Sequence, residues 1–220
     1  MTEDIQHYLA KELISTGALK INTRAPFRWT SGALMPVYAD NRLLLGNYKT
    51  RRKIAEAFSS ILKEQQIQVE AVAGTATAGI PHATSLADIL QCPLLYVRSK
   101  AKGHGVGRQI EGVLTPGSAV VVVEDLLSTG GSVLAAVDAL RKEGSLVNVC
   151  LSIFTYGFPQ CWEALDSAGC QSLSLLTMES LLGILRETHS ISEADFEALN
   201  LWYKSPFTWA RTQAGPVARE

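Results

Sequence analysis

Residues 120–132 read V-V-V-V-E-D-L-L-S-T-G-G-S, and the interpretation of the whole chain starts from them. Four consecutive valines are β-branched and apolar, which favours a strand buried on both faces, as in a parallel sheet. Glu124 and Asp125 stand where we expect this strand to end, and a short turn of Ser, Thr and Gly follows. Residues 133–143 then show the apolar spacing of a helix. This strand-turn-helix unit predicts an α/β protein with a central, mainly parallel sheet flanked by helices.

The turn after this strand has the properties of a phosphate site. In open α/β sheets, ligands bind beyond the carboxyl ends of the strands, and a Gly-rich turn entering a helix directs backbone N–H groups at an anion. Carboxylates beside such a turn suit sugar hydroxyls, so the pattern indicates a sugar phosphate. The alternative is an ordinary junction with Ser132 as the helix cap, but adjacent carboxylates repel each other and are a poor choice for packing alone. The G-x-x-x-x-G-K-[ST] loop of nucleotide-binding proteins is absent from the sequence.

Composition limits the classes of protein that remain. The 220 residues include 20 basic and 21 acidic side chains, and a net charge of −1 provides no field favouring nucleic acid or an anionic membrane. No basic segment with a long apolar run opens the sequence, and no stretch reaches membrane-spanning length. The four cysteines form no C-x-x-C pair, which favours reduced structural thiols in a cytoplasmic protein. We expect one domain, with a helix and hood in 1–45, a core in 46–190 and a loose tail in 206–220.

A second turn of small residues follows the strand predicted at residues 69–74. It reads G-T-A-T-A-G and again leads into a helix, so a second anion fits its N–H groups. Alone this spacing is a weak signal, but turns in successive strand-helix units converge on one crevice of a parallel sheet. We therefore predict a monophosphate at one turn and a diphosphate at the other, without deciding which turn holds which. The second turn consists of Thr75, Ala76, Thr77, Ala78 and Gly79. His82, in the following helix, is predicted to be a packed histidine rather than a catalyst.

Two further segments are candidates for covering such a crevice. Residues 98–112 combine several cations with three glycines, as in a lid that closes over a polyanion, although a mobile surface loop has the same composition. Residues 109–113 are predicted to return as a strand opposite 94–97. Residues 19–40 contain short β-like pieces broken by Pro26, Gly32 and Pro36, which predicts a small antiparallel hood. A solvated hairpin is the alternative for the polar hood residues Thr30, Ser31, Tyr38, Asp40 and Arg42.

Together these motifs resemble one family. Residues 120–132 resemble the 5-phosphoribosyl 1-diphosphate (PRPP) binding signature of type I phosphoribosyltransferases. The lid R-S-K-A-K-G-H-G and the hood T-S-G-A-L-M-P-V-Y-A-D-N-R are similar to the catalytic loop and orotate-side segment of orotate phosphoribosyltransferases, and G-T-A-T-A-G-I-P is similar to their diphosphate loop. The resemblance covers about residues 10–190. It implies the type I phosphoribosyltransferase fold and transfer of a phosphoribosyl group from PRPP to orotate, in pyrimidine biosynthesis.

The resemblance also implies roles for individual residues. In the lid, Arg98, Lys102 and His104 match positions that contact the diphosphate and act in catalysis. Glu124 and Asp125 match the pair that binds the ribose hydroxyls, and Asp125 is also expected to act in catalysis. The PRPP-binding positions of the signature are Glu124, Asp125, Leu126, Leu127, Ser128, Thr129, Gly130, Gly131 and Ser132. The orotate-side positions are Ser128, Tyr38, Arg42 and Tyr156. Tyr156 and Gly157 lie where some branches of the family have an orotate-binding arginine. The resemblance further implies Mg²⁺ held mainly by PRPP, and a homodimer in which each lid reaches the neighbouring active site.

Two other functions stay open at this point. A phosphoribosyltransferase acting on a purine base shares the signature, but it usually lacks the K-x-H-G lid and this hood. A non-catalytic regulator that senses PRPP belongs to a different class, and it is expected to bring a DNA-binding module or a basic surface. A chain of 220 nearly neutral residues leaves little room for either.

Overall fold

The computed structural model describes residues 2–29, 32–99 and 109–209, and the fold begins with a helix and a hood. Helix α1 (Thr2–Ser15) buries Leu9 and Leu13, and Gly17 follows it with a φ of 71°, a backbone conformation that favours glycine. The hood consists of two antiparallel pairs, β1 with β4 and β2 with β3, whose bounds are β1 (Leu19–Ile21), β2 (Phe27–Arg28), β3 (Leu34–Met35) and β4 (Val37–Ala39). A 3-10 helix (Asn41–Gly46) leads from the hood into the core. The predicted antiparallel hood is therefore confirmed.

Six strands form the central sheet, and their bounds are β5 (Ala71–Thr75), β6 (Leu94–Val97), β7 (Ile110–Glu111), β8 (Ala119–Leu127), β9 (Leu146–Thr155) and β10 (Gln171–Thr177). Their order in the sheet is β10-β9-β8-β5-β6-β7. Neighbouring strands are parallel except for β7, which returns antiparallel to β6. The predicted mainly parallel sheet and the predicted return strand in 109–113 are both confirmed.

Helices cover both faces of this sheet, with the bounds α2 (Tyr48–Glu64), α3 (Gly79–Leu90), α4 (Gly131–Lys142), α5 (Pro159–Ser167), α6 (Met178–Glu187) and α7 (Glu193–Lys204). One core, on the side of α1, α2, α3, α6 and α7, contains Val121 and Val123. The other, beneath α4 and α5, contains Val120 and Val122. Each of the four valines is at most 3% exposed. The predicted strand, buried on both faces, is therefore confirmed. Within the described ranges, no helix is long and apolar enough to cross a membrane.

The C-terminal part of the described chain is held by aromatic packing. Trp202 is fully buried in α7, and its indole nitrogen donates to the sulfur of Met35 in the hood. Phe207 packs against Phe158 with ring centroids 5.1 Å apart, and Trp209 is 3% exposed. The tail predicted at 206–220 is thus packed at least to residue 209, because its aromatic side chains bury apolar surface. Residues 210–220 lie outside the described part of the chain.

Candidate active site

The crevice forms because two neighbouring strands end at different heights. Strand β5 pairs with β8 only as far as Gly74 opposite Val123, and it ends at Thr75. Strand β8 continues to Leu127, supported on its other side by β9. Strand β8 was expected to end at the acidic pair, but it runs past it because β9 goes on pairing as far as Thr155. The acidic pair therefore lies on an open strand edge, at the point where the connections diverge to the two sides of the sheet.

An open cavity of about 370 Å³ lies at this edge. One wall is the turn after β5, the floor is the end of β8 with the start of α4, and the opposite wall is the hood. The lining residues are Tyr38, Ala39, Asp40, Arg42, Ala76, Thr77, Ala78, Glu124, Asp125, Leu126 and Ser132. Ala76, Thr77 and Ala78 of one turn and Ser132 of the other line this cavity, whereas residues 128–131 are not among its lining residues. The predicted convergence of the two turns is therefore seen at Ser132 alone for the second turn.

Glu124 and Asp125 have different environments although they are adjacent. Glu124 is 6% exposed, and its carboxylate accepts hydrogen bonds from the Asp125 backbone N–H at 3.1 Å and from the Ser132 hydroxyl at 2.9 Å. Burial, together with the neighbouring Glu124 carboxylate, raises the pKa of Asp125 to about 7. The folded state therefore favours the protonated form of Asp125 more than water does, and donors supplied by a bound ligand would favour its charged form.

The start of α4 is open to an anion. Gly130 precedes the helix with a φ of 82°, and a Cβ atom there would lie 3.1 Å from the sulfur of Cys161, so glycine fits both the conformation and the space. No side chain caps α4, and no acidic residue lies in its first turn. Ser132 was considered as a cap, but its hydroxyl donates to Glu124 instead. The first N–H groups of α4 thus have no side-chain partner within the part of the chain that the structure describes and, with the helix dipole, favour a phosphate.

The turn between β5 and α3 shows the same feature. Helix α3 also begins without a side-chain cap, as does α5, whereas Asn47, Thr177 and Ser192 cap α2, α6 and α7. The Thr75 hydroxyl donates to the Val123 carbonyl at 3.2 Å, which ties the turn to β8. A Cβ atom on Gly79 would lie 2.3 Å from that same carbonyl oxygen. Only glycine therefore lets the start of α3 come this close to the strand that carries the acidic pair.

The hood contributes a charged pair to the opposite wall. Arg42 donates to both carboxylate oxygens of Asp40, at 2.6 and 2.7 Å, and its backbone N–H also donates to that carboxylate. The hydrogen bond from the Arg42 side chain holds the pKa of Asp40 below its usual value. Tyr38, also predicted on the orotate side, lines the same wall and is 37% exposed.

Several predicted site residues are not brought to the cavity. Tyr156 is 2% exposed and packs against Trp29 and Phe158, with ring centroids 4.8 and 5.4 Å away. Its hydroxyl accepts a hydrogen bond from the Ala39 N–H, so in this structure it supports the hood from below, and an orotate contact stays a prediction. Arg98 does not line the cavity, and its guanidinium lies 3.5 Å from a Glu111 carboxylate oxygen. Thr30, Ser31 and the lid residues Lys100, Lys102, His104 and Arg108 lie outside the described residues.

His82 and Asn41 complete the description of the site. His82 is 1% exposed in α3, and burial lowers its pKa to about 4, in agreement with a packed histidine.

Asn41 was not singled out from the sequence. Its side-chain N–H donates to the backbone carbonyl of Asp125 at 2.7 Å, across 84 positions of sequence. No local sequence pattern predicts this contact, because its two residues come together only when the chain is folded.

Comparison with known proteins places this geometry in a class. A family model described as the phosphoribosyl transferase domain matches residues 44–168, which contain both turns and the acidic pair. The match covers more than half of the chain. The chain therefore belongs to the phosphoribosyltransferase family.

Individual relatives show to which branch of the phosphoribosyltransferase family the chain belongs. Orotate phosphoribosyltransferase of Listeria monocytogenes is 42% identical over 207 residues, which cover 94% of this chain and 99% of that protein. Its counterpart in Bacillus mycoides is 45% identical over 198 residues, covering 90% and 94%. The crystal structure of orotate phosphoribosyltransferase from Aeropyrum pernix superposes with a TM-score of 0.72 at 33% identity, over 84% of this chain and 99% of that chain. Within its family, the chain thus belongs to the orotate phosphoribosyltransferases, and the fold implied by the resemblance is confirmed.

Proposed function

We propose that the crevice is where this chain transfers the 5-phosphoribosyl group of PRPP to orotate, giving orotidine 5′-monophosphate and diphosphate. The observation that carries the proposal is one cavity bordered by two uncapped helix starts with two carboxylates between them. PRPP is a pentose with a phosphate at one end and a diphosphate at the other. The phosphate and the diphosphate of PRPP match the two helix starts, and its ribose hydroxyls match the two carboxylates between them.

Each part of PRPP has a partner in this proposal. Residues 128–132 and the start of α4 hold the 5′-phosphate through backbone N–H groups and hydroxyls. Glu124 and Asp125 accept hydrogen bonds from the ribose hydroxyls and fix the orientation of the ring. The turn of residues 75–79 holds the diphosphate. Leu126, which lines the cavity, and Leu127, which is buried in the core beneath α4, connect the acidic pair to residues 128–132.

The chemistry requires opposite charges to be stabilised as the bond between ribose C1 and the diphosphate oxygen breaks. Positive charge develops on the ribose, near Glu124 and Asp125, and negative charge develops on the departing diphosphate. In our proposal Arg98, Lys102 and His104 stabilise the diphosphate once the lid closes and excludes water. Histidine as a residue type commonly acts as an acid near neutral pH, so in our proposal His104 donates a proton to the leaving diphosphate.

Mg²⁺ is implied by the family, and the donors in the crevice fit an ion that arrives with the substrate. Within the described ranges, no cluster of three or more His, Cys, Asp or Glu side chains would hold a metal ion unaided. Mg²⁺ commonly takes one or two carboxylates together with substrate phosphates and water, and Asp125 lies beside the expected phosphate positions. When bound, the ion neutralises charge on the diphosphate.

On the opposite wall, the hood would hold orotate. Tyr38 and Arg42 line the cavity there, while Ser128, directly after the end of β8, is half-buried and not among the lining residues. Arg42 is already paired with Asp40, so binding the orotate carboxylate through Arg42 would need part of that pair to open. We further propose a homodimer in which the lid of one subunit serves the active site of the other, and a cytoplasmic location, as the composition led us to expect.

The test is the loss of orotate absorbance when PRPP and Mg²⁺ are added to the purified protein. Adenine, hypoxanthine and uracil serve as control acceptors under the same conditions. We expect turnover with orotate alone, because only orotate adds a carboxylate for the hood to bind. Turnover with a purine base, or a PRPP-soaked crystal showing the sugar away from Glu124, Asp125 and residues 128–132, would overturn the proposal.

A further inference from the structure

Asn41 completes the open edge of β8 where β5 has turned away. The pairing of β5 ends at Gly74 opposite Val123, and two carbonyl groups beyond it are met by side chains. The Val123 carbonyl accepts from the Thr75 hydroxyl at 3.2 Å, and the Asp125 carbonyl accepts from the Asn41 amide at 2.7 Å. A strand edge without such partners would leave buried carbonyl groups unpaired, at a considerable cost in stability.

Packing alone does not account for an asparagine at this position. Asn41 is fully buried, and its side-chain oxygen has no hydrogen-bond partner among the described residues. A buried amide satisfied at only one end is less stable than an apolar side chain of similar size. The hydrogen bond from the Asn41 amide to the Asp125 carbonyl is therefore what an asparagine provides at this position. Asp125 is also the residue that we expect to hold the ribose.

The neighbours of Asn41 show what this bond connects. Asp40 and Arg42, on either side of it, line the hood wall of the cavity, while Asp125 lines the floor. The Asp40 backbone N–H donates to the Ala18 carbonyl at 2.7 Å, so this part of the hood is itself anchored. Asn41 thus fixes the distance between the two sides of the crevice.

We infer that Asn41 is a positioning residue that holds the Asp125 segment of β8 in register with the hood, so that Asp125 meets the ribose of PRPP. The inference rests on the proposed function, since it assigns PRPP to the Asp125 side. Asn41 does not line the cavity and touches no substrate in this arrangement. It acts through the backbone of Asp125.

The variants N41A and N41L separate positioning from packing. N41A removes the donor and leaves a small cavity, whereas N41L fills a similar space without a hydrogen-bond donor. If Asn41 positions Asp125, both variants weaken PRPP binding, because both leave the Asp125 carbonyl without its partner. If Asn41 only fills space, N41L binds PRPP as the wild-type protein does.

The readouts are steady-state kinetics and a direct titration of PRPP with Mg²⁺ by calorimetry. We expect N41A to raise the KM and the dissociation constant for PRPP about tenfold, the effect of one lost buried hydrogen bond, while the KM for orotate changes by less than about twofold. N47A is the matched control, since Asn47 lies at the other end of the same 3-10 helix and caps α2 outside the cavity. We expect N47A to lower thermal stability and leave both KM values unchanged.

The outcomes distinguish this inference from the proposed function. Unchanged PRPP binding in N41A and N41L overturns the inference even when the wild-type protein consumes orotate, as does wild-type PRPP binding in N41L alone. A wild-type protein that binds PRPP but does not consume orotate refutes the proposed reaction, while the titration still tests Asn41. A wild-type protein that does not bind PRPP refutes both.

Discussion

Gly79 offers a sharp test of how closely α3 must approach β8. In G79A, the new Cβ would lie 2.3 Å from the Val123 carbonyl oxygen and 2.6 Å from the Thr75 hydroxyl oxygen. An ordinary contact is 3.4 Å or more, so the start of α3 must retreat by about 1 Å. The turn of residues 75–79 moves with it, away from the acidic pair that remains on β8.

The expected magnitude follows from that displacement. Misplacing a catalytic arrangement by about 1 Å costs roughly 10²-fold in rate, so we expect kcat/KM for PRPP to fall by about that factor. Overpacking also costs about 1–3 kcal/mol in the free energy of unfolding, and each kcal/mol lowers the Tm by roughly 2–4 °C in a chain of this size. The assay is orotate consumption at varied PRPP concentration, with the Tm measured by calorimetry.

Gly183 supplies the matched control for this experiment. It lies in α6, and a Cβ atom there meets nothing within 4 Å. We expect G183A to keep full activity and to gain about 0.5–1 kcal/mol, the usual effect of replacing a helical glycine by alanine. A G79A protein with the kcat/KM and Tm of the wild type would refute the close approach on which the proposed diphosphate site depends.

Three further predictions concern the lid, the acidic pair and the hood. We expect K102A to lower kcat by about 10²–10³ and to leave the Tm unchanged. The control is K142A, which replaces an exposed lysine at the far end of α4 and should change neither quantity. Normal turnover of K102A would exclude the lid role. Burial raises the pKa of Asp125 to about 7, so the folded state binds an extra proton between the ordinary value of 3.8 and about 7, and stability falls as the pH rises through that window. D125N removes this penalty, and its Tm relative to wild type should increase between pH 5 and pH 8; a pH-independent difference would contradict the raised pKa. Y156F removes the acceptor of the Ala39 N–H and is expected to cost about 1 kcal/mol while leaving the KM for orotate unchanged, whereas a large rise in that KM would assign Tyr156 to the substrate.

Much of the fold was predictable from the sequence because its signals are local. The four valines of residues 120–123 require burial on both faces, and small residues after two buried strands mark turns that enter helices. Prolines and a glycine break residues 19–40 into the short pieces of the hood. Each of these features depends on side-chain shape and backbone freedom within a few residues, which any single sequence displays.

The tertiary structure alone decided how these pieces meet. The early end of β5 beside a continuing β8 exposes Glu124 and Asp125 on an open edge, and pairing with β9, more than twenty residues further along the chain, sets that length. Asn41 reaches Asp125 across 84 positions, and Tyr156 turns into an aromatic core rather than into the cavity. Such contacts depend on the relative height of strands and on which neighbour fills a given space. The sequence therefore determined which residues can bind a phosphorylated sugar, and the packing of the sheet against the hood determined which of them face the same cavity.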